Sequence, residues 1–243
     1  MTRIISARRA LTVALGVLLG AALSVALPTA TASASKAKTW NVTKEAAIHQ
    51  KENPRPDRYH NLEVWSWMYG EADTPSSYAV MENLFKPSVI KKECGVKGEH
   101  EWNRLPSLFT GLPAVLYYNG PTIERGQNEC ARSAEYPTKT FFMHPDNESS
   151  LASIVRWKSP ITGTVTVSGS VQPTDSNVEG IVWQLDQGST ILLGPTEKAD
   201  DSPTSFGPTT VSVSAGESLY LEIGPGLGGG SFDTTAVALN ISA

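Results

Sequence analysis

The chain from Phe141 to Ala243 is a series of short apolar runs, each of which ends within a few residues. Gly, Pro or Asp separates the runs, and these residues interrupt strands and form turns. Short runs bounded by turn residues predict antiparallel strands packed as a sandwich or a barrel. The predicted strands are Phe141–Pro145, Ser153–Pro160, Gly163–Val171, Gly180–Leu185, Val211–Val213, Leu219–Ile223 and Ala236–Ile241.

The sequence before Phe141 shows a less regular pattern of apolar and polar positions. Asn41 to Asn53 predicts one short helix, because Thr43 can cap it, Glu45 suits its first turn and Pro54 ends it. Further strands are predicted at Val64–Gly70, Tyr78–Phe85 and Leu112–Asn119, and polar surface loops at Lys91–Glu101 and Glu124–Pro137. No repeat or linker divides the sequence, so we expect one all-β domain over residues 35–243.

The first 34 residues have the pattern of a secretory signal peptide. Arginines precede an uncharged apolar run, Ala10 to Ala26, and Ala32-Ser33-Ala34 forms an A-x-A cleavage site. Arg8-Arg9 leaves the twin-arginine route open as well as the general one. We therefore expect a secreted, extracellular protein that begins at Ser35 and is not stably inserted in a membrane.

Charge and cysteine content narrow the class of partner. The full chain has a formal net charge of −4, and removal of the signal arginines makes it more negative. An acidic protein is poorly suited to bind nucleic acid or an anionic membrane.

Cys94 and Cys130 are the only cysteines, and export to an oxidising compartment predicts a disulfide between them.

Aromatic residues follow one face of a predicted strand. Alternation places Trp65, Trp67 and Tyr69 on the same side of Val64–Gly70. An exposed stripe of this kind could stack on pyranose rings, whereas a buried one would fill the core, as large aromatics usually do. Alternation determines which residues share a face of the strand but not which face is exposed to solvent, so both interpretations stay open.

The order of several motifs resembles the secreted carbohydrate-binding β-sandwich modules of bacteria, with a galactose-binding-type jelly roll. The motifs are Trp40-Asn41-Val42, Asn53-Pro54, Trp65 to Gly70, His144-Pro145, Ile154 to Val165 and Gly224 to Asp233. The resemblance implies a jelly-roll-like antiparallel sandwich. It also implies a structural calcium at Asp233, with no cofactor required for function, while an Asp bonded within its own turn is the alternative at that position.

Familiar catalytic motifs are missing or out of context. Gly224 to Gly229 matches G-x-G-x-x-G, but the next apolar run is a strand, and a dinucleotide site needs a helix there. The histidines show no metal-ligand spacing, and no G-x-S-x-G motif is present. The acidic pairs Glu99/Glu101 and Asp146/Glu148 are interpreted as solvated loop charges.

These observations predict a monomeric, non-catalytic binding module for an extracellular polysaccharide or cell-wall glycan. Trp65, Trp67 and Tyr69 are its candidate ligand-binding residues. A glycan-active hydrolase or lyase is the first alternative and would need a cleft with two carboxylates of opposed pKa. A structural or inhibitory protein with a protein partner is the second, and it would show a contiguous apolar patch.

Overall fold

The computed structural model describes residues 37–48, 50–94, 97–108, 110–127, 133–147 and 149–243, with only the backbone for 92–94. The helices are α1 Val42–Ile48 and α2 Pro87–Cys94, with a 3₁₀ turn at Pro75–Ser77. The strands are β1 Thr39–Asn41, β2 Trp65–Glu71, β3 Ala79–Val80, β4 Asn83–Phe85, β5 Glu99–Asn103, β6 Ala114–Tyr118, β7 Thr140–His144, β8 Leu151–Lys158, β9 Gly163–Pro173, β10 Ile181–Gln187, β11 Thr190–Lys198, β12 Thr204–Val213, β13 Ser218–Pro225 and β14 Thr235–Ser242.

The strands form two antiparallel sheets. In the described residues, the first sheet has eight strands in the order β12-β9-β14-β7-β6-β5-β4, with β1 also paired to β14. The second sheet has six strands in the order β11-β10-β13-β8-β2-β3. The predicted all-β antiparallel architecture is therefore confirmed, while the jelly-roll connectivity stays a finer prediction.

The inner faces of the two sheets share one apolar core. Val165, Val167 and Leu239 from the first sheet lie in the same buried cluster as Leu219 and Leu221 from the second. Tryptophans occupy the end of this core near β1, where the ring centroids of Trp40 and Trp157 are 5.3 Å apart. Strand alternation explains the arrangement, because every second residue of each strand faces the opposite sheet.

The predicted N-terminal helix exists but is shorter and is capped differently. Helix α1 covers Val42–Ile48, and the Asn41 side-chain oxygen accepts a 2.8 Å hydrogen bond from the Lys44 backbone N–H. Thr43 was therefore the wrong cap. Asn41 ends strand β1 and is itself a favoured capping residue, so the helix begins one residue after it.

The prediction of a charged loop at Lys91–Glu101 was wrong. Part of this segment belongs to helix α2, and part is strand β5 in the first sheet. Helix α2 begins with Pro87 at its first turn, a position that tolerates the missing N–H. Cys94 ends α2, whereas Cys130 lies outside the described residues, as does the whole predicted signal peptide.

Two edge strands, β11 and β12, contain the longest stretches of strand that the sequence pattern did not predict. Strand β11 was missed entirely and β12 was predicted only at its end, because Gly-Pro pairs interrupt both. Their register shifts lie near these pairs, at Trp183/Leu185 on the partner of β11 and at Phe206/Thr209 in β12. Proline is tolerated at sheet edges and bulges, where no ladder hydrogen bond is lost.

The predicted strand Tyr78–Phe85 is two strands in different sheets. Strand β3 pairs with β2 in the second sheet, and β4 pairs with β5 in the first. Met81 lies between them and is fully buried.

Among the described helices, none has the length and apolar character needed to cross a bilayer.

Candidate functional site

A cavity of about 320 Å³ lies on the outer face of the first sheet, away from the core between the sheets. Strands β5, β6 and β7 form its floor, helix α2 contributes Ile90, and loops before β7, after β9 and before β14 form the walls. Its lining residues are Ile90, Glu99, Glu101, Leu108, Leu112, Ala114, Leu116, Ser133, Ala134, Tyr136, His144, Asn147, Asp175, Ser231, Phe232 and Thr234.

Strand register brings the polar groups of the floor together. Glu101 pairs with Leu116, and Ala114 lies between Asn103 and His144 on neighbouring strands. Because side chains alternate, Glu99 and Glu101 face outward, while Trp102, the next residue after Glu101, joins the core. The methyl group of Ala114 leaves open space above the sheet that a longer side chain would fill.

Glu99 and Glu101 form a buried carboxyl pair, so the interpretation of them as solvated loop charges was wrong. They are only 6% and 7% exposed, and they lie two residues apart on the same face of β5. Two carboxyl groups confined in one buried site disfavour the state in which both are ionised, because like charges repel and burial penalises charge. Burial raises the pKa of Glu99 to about 7, and burial followed by the charge of Glu99 raises the pKa of Glu101 well above its usual value. The pair therefore keeps a proton near neutral pH.

His144 at the end of β7 presents a neutral imidazole to the same cavity. Its Nδ1 lies 2.8 Å from the Pro145 carbonyl oxygen, which can only accept, so this nitrogen carries the hydrogen. Burial lowers the His144 pKa below the usual histidine value, although the Pro145 carbonyl acts in the opposite direction. The imidazole is thus uncharged near neutral pH, with Nε2 as its unprotonated nitrogen.

Two loops hold further polar groups against the floor. Asp175, after β9, accepts hydrogen bonds from Ser133 Oγ at 2.5 Å and from the Thr234 backbone N–H at 2.8 Å. Tyr136 packs on Phe142 with a centroid distance of 5.0 Å, and burial raises its pKa well above the usual range. Its hydroxyl therefore stays protonated and can act as a donor.

The loop before β14 places an aromatic ring where the cavity meets solvent. Phe232 lines the cavity, is 45% exposed and has a left-handed backbone with φ of 59°. Such a conformation is rare for a bulky residue and points to a specific requirement. Gly230, two residues earlier, approaches Asp146 so closely that a Cβ would lie 1.8 Å from its carbonyl oxygen. Within the G-x-G-x-x-G match, a Cβ on Gly226 would lie 2.5 Å from the Gly180 carbonyl oxygen, so this glycine also allows close loop packing. A strand follows the match, as predicted.

The predicted aromatic stripe lies in the core. Trp65 and Trp67 are fully buried, and Tyr69 packs partly buried against the same cluster. The three residues share one face of β2, as alternation predicts, and that face is turned toward the other sheet. The core interpretation fits this burial, because a ring enclosed by protein cannot stack on a sugar.

Asp233, the predicted calcium ligand, is fully buried. Its Oδ1 accepts a 3.1 Å hydrogen bond from the Gly180 N–H, and its Oδ2 has no hydrogen-bond partner among the described residues. Burial raises the pKa of Asp233 to about 7. Among the described residues, no group of three or more His, Cys, Asp or Glu side chains is arranged to hold a metal ion.

The other acidic pair considered from the sequence is Asp146 and Glu148, of which the structure describes only Asp146. Asp146 is buried and forms a 3.1 Å salt bridge with Arg104, and it also accepts from Ser149 Oγ, whereas Glu148 lies outside the described residues. Sequence reasoning missed Phe232, His144, Tyr136 and Asp175 as a set. Only the Glu-x-Glu spacing at Glu99 and Glu101 signalled that two carboxylates would share a strand face.

A second buried carboxyl cluster lies on the outer face of the second sheet. Glu222 on β13 accepts hydrogen bonds from the Tyr78 hydroxyl and from the Asp73 backbone N–H, the latter at 3.2 Å. Gln184 Nε2, on β10, donates to Asp186 at 2.8 Å and to Glu222 at 3.2 Å. Burial raises the pKa of Glu222 to about 8, so this carboxyl is protonated at neutral pH.

Comparison with known proteins gives structural similarity only. No family model and no curated protein sequence matches the chain. The chain is similar to a CBM51 module from a Clostridium perfringens GH95 protein solved with methyl-galactose, at 12% identity and a TM-score of 0.36, covering 55% of this chain and 90% of that one. It is also similar to a family 35 carbohydrate-binding module from Clostridium thermocellum, at 10% identity and a TM-score of 0.32, covering 52% and 90%.

A CBM35 from Paenibacillus barcinonensis is similar at 11% identity and a TM-score of 0.26, covering 40% of this chain and 76% of that one. The class of structures to which the chain is similar is thus the carbohydrate-binding β-sandwich modules. Because each of these TM-scores is below 0.5, the similarity does not decide what the cavity binds.

Proposed function

We propose that this protein binds a glycan in the cavity on the first sheet and that it acts as a binding module outside the cell. The observation that carries the proposal is the half-exposed ring of Phe232 beside a pocket of buried carboxyl, imidazole and phenol groups. A sugar presents both an apolar C–H face and a rim of hydroxyl groups. An aromatic face and a few fixed polar groups are complementary to these two features.

The size of the cavity suits a short piece of a glycan. Its volume of about 320 Å³ is at the lower end of the roughly 300–1,000 Å³ range of small-molecule sites. Apolar side chains from α2 and the β5–β6 loop, Ile90 and Leu108, form part of its wall. We therefore expect recognition of a chain end or of one or two sugar units.

Binding fits the carboxyl geometry better than glycoside hydrolysis does. The carboxyl groups of a glycosidase stand about 5–5.5 Å apart in retaining enzymes and about 6.5–9.5 Å apart in inverting ones. Glu99 and Glu101 instead project side by side from one face of β5 into the cavity, whereas the carboxyl groups of a glycosidase flank the scissile bond. Their position suits them to hold one ligand group together.

A glycan-active enzyme is the second candidate, favoured by one observation. The cavity contains a carboxyl pair that keeps a proton, Glu99 and Glu101, together with a neutral imidazole, His144, and these groups could serve as a general acid and a general base. Prolonged incubation with polysaccharides, followed by chromatography of the soluble products, tests this candidate. Products that disappear in His144→Ala would establish it.

The proposed binding site is tested at its aromatic rim. Phe232→Ala should weaken retention on the recognised polysaccharide by about tenfold or more, the loss expected for a central aromatic contact. Leu227→Ala is the matched control, because Leu227 belongs to the same loop, is 92% exposed and does not line the cavity. Equal binding by wild type and Phe232→Ala, with both proteins folded, would contradict the proposal.

Calcium is not required in this proposal. Asp233 can supply one carboxylate to an ion, and the neighbouring backbone would have to supply the rest. Glycan arrays probed with and without EDTA measure whether binding depends on calcium, and size-exclusion chromatography checks the expected monomer. We expect neither the glycans recognised nor the elution volume to change when EDTA is added.

A further inference from the structure

The cavity is an unusually acidic environment for a neutral sugar. Three carboxyl groups line it, on Glu99, Glu101 and Asp175, and no described lining residue is a lysine or an arginine. The basic side chains near its rim have other partners. Arg104 pairs with Asp146 at 3.1 Å, and Arg125 pairs with Asp201 at 2.9 Å. The described residues therefore leave the acidic charge of the cavity without a cation.

We propose that the cavity selects a sugar unit that carries a free amino group, such as a glucosamine unit, over neutral, N-acetylated and acidic sugars. This inference rests on the proposed glycan-binding function and specifies its ligand class. A sugar ammonium group donates three hydrogen bonds and brings the positive charge that the buried carboxyl groups lack.

The Glu99–Glu101 pair provides the place for this ammonium group. In the free protein the pair keeps a proton, because burial raises the pKa of both carboxyl groups that line this part of the cavity. A bound ammonium can replace that proton by donating to both carboxylates. The balance is one ammonium sugar bound and one proton released to the solvent, so that the charge of the cavity is unchanged.

The other titratable groups around the pair do not supply the charge instead. His144 on β7 is neutral, Tyr136 in the wall and Tyr118 on β6 keep their hydroxyl protons, and Asp175 is itself acidic. A uronic acid would add a carboxylate to this set and would be repelled. An N-acetylated or neutral sugar could form hydrogen bonds but would leave the shared proton in place.

The experiment compares four sets of oligosaccharides by isothermal titration calorimetry at about pH 7, near the pKa of Glu99. The probes are glucosamine oligomers, their N-acetylated counterparts, neutral glucose oligomers and galacturonic acid oligomers. Glucosamine oligomers should bind about tenfold or more tightly than the others, as expected for a charge-assisted contact. Titrations in buffers of different ionisation enthalpy should show proton release for the glucosamine oligomers alone.

Glu101→Gln should lose both the preference for amino sugars and the proton release, whereas the control Glu124→Gln, exposed and outside the cavity, should keep both. If Glu101→Gln does not fold, the proton release measured with the wild-type protein still tests the inference. Equal or tighter binding of neutral, N-acetylated or acidic oligomers would overturn the amino-sugar inference and leave the proposed glycan binding intact. Failure of folded wild-type protein to bind any polysaccharide would instead overturn the proposed function and, with it, this inference.

Discussion

At the scale of single residues, burial separates the aromatic side chains into two roles. The ring centroids of Trp65 and Trp67 are 6.3 Å apart inside the core, and Trp67 also packs on Phe141 at 4.9 Å. The guanidinium carbon of Arg55 lies 4.4 Å from the Trp67 ring centroid. Phe232, by contrast, belongs to no core cluster among the described residues and stays half exposed. Only an aromatic of the second kind can meet a ligand.

Trp67→Ala is therefore expected to destabilise the fold. Truncation of a fully buried aromatic costs about 3–5 kcal/mol, because apolar burial is lost and a cavity is left. Urea unfolding followed by circular dichroism measures this loss. Leu62→Ala, at an exposed position, serves as the control and should change stability very little. A loss for Trp67→Ala no larger than that of the control would show that the ring does not support the core.

At the scale of secondary-structure elements, polar strands proved hardest to recognise. Strand β5 reads Glu-His-Glu-Trp-Asn and was interpreted as a charged loop, because its outer face carries carboxyl groups rather than apolar side chains. Its neighbours β4 and β6 complete the hydrogen-bond ladder, so pairing rather than hydrophobic pattern makes it a strand. β-Propensity depends on context in this way, since cross-strand partners supply much of the stability.

The carboxyl cluster that links β10, β13 and the loop at Asp73 should make stability depend on pH. Glu222 has a folded-state pKa of about 8, above the ordinary value of about 4.3. The folded state therefore keeps a proton that the unfolded chain releases. The resulting stabilisation is complete below the ordinary pKa and is lost as pH rises through about 8.

Urea unfolding at about pH 5.5 and about pH 8.5 should thus show lower stability at the higher pH, with a smaller decrease for Glu222→Gln. Glu71→Gln, at the exposed end of β2, is the control and should show the wild-type decrease. If Glu222→Gln loses as much stability as wild type over this interval, another group is responsible for the pH dependence.

At the scale of the whole molecule, a helix and a loop pack on the outer face of the first sheet. The first sheet is covered at the cavity by α2 and by the loop that contains Ile123 and Tyr136, which pack with Tyr118 and Phe142 in a second apolar cluster. Cys94 ends α2, and Cys130 lies between the two described parts of that loop. A disulfide between them would tie the helix to the loop beside the cavity.

We predict that Cys94 and Cys130 are bonded in the secreted protein, as its predicted export requires. Free-thiol titration under denaturing, non-reducing conditions should find no reactive thiol, and reduction should lower the free energy of unfolding by about 4 kcal/mol in the chain-entropy model. Cys94→Ser with Cys130→Ser should behave like the reduced protein. Two reactive thiols in the untreated, secreted protein would contradict the prediction.

The sequence by itself determined the all-β antiparallel class, most of the central strands and the strand after the glycine run. These features depend on local pattern, because alternation and turn residues act within a few positions along the chain. Local alternation also determined that Trp65, Trp67 and Tyr69 share one face of a strand. It did not determine which face of the sheet is exposed to solvent.

Only the tertiary structure decided where a ligand could bind. Glu101, His144 and Phe232 come together because β5, β7 and the loop before β14 meet on one face of the first sheet. Their separation along the chain leaves no local pattern that links them. The raised pKa of Glu99 has the same origin, since desolvation depends on every segment packed around the group and not on its neighbours in sequence.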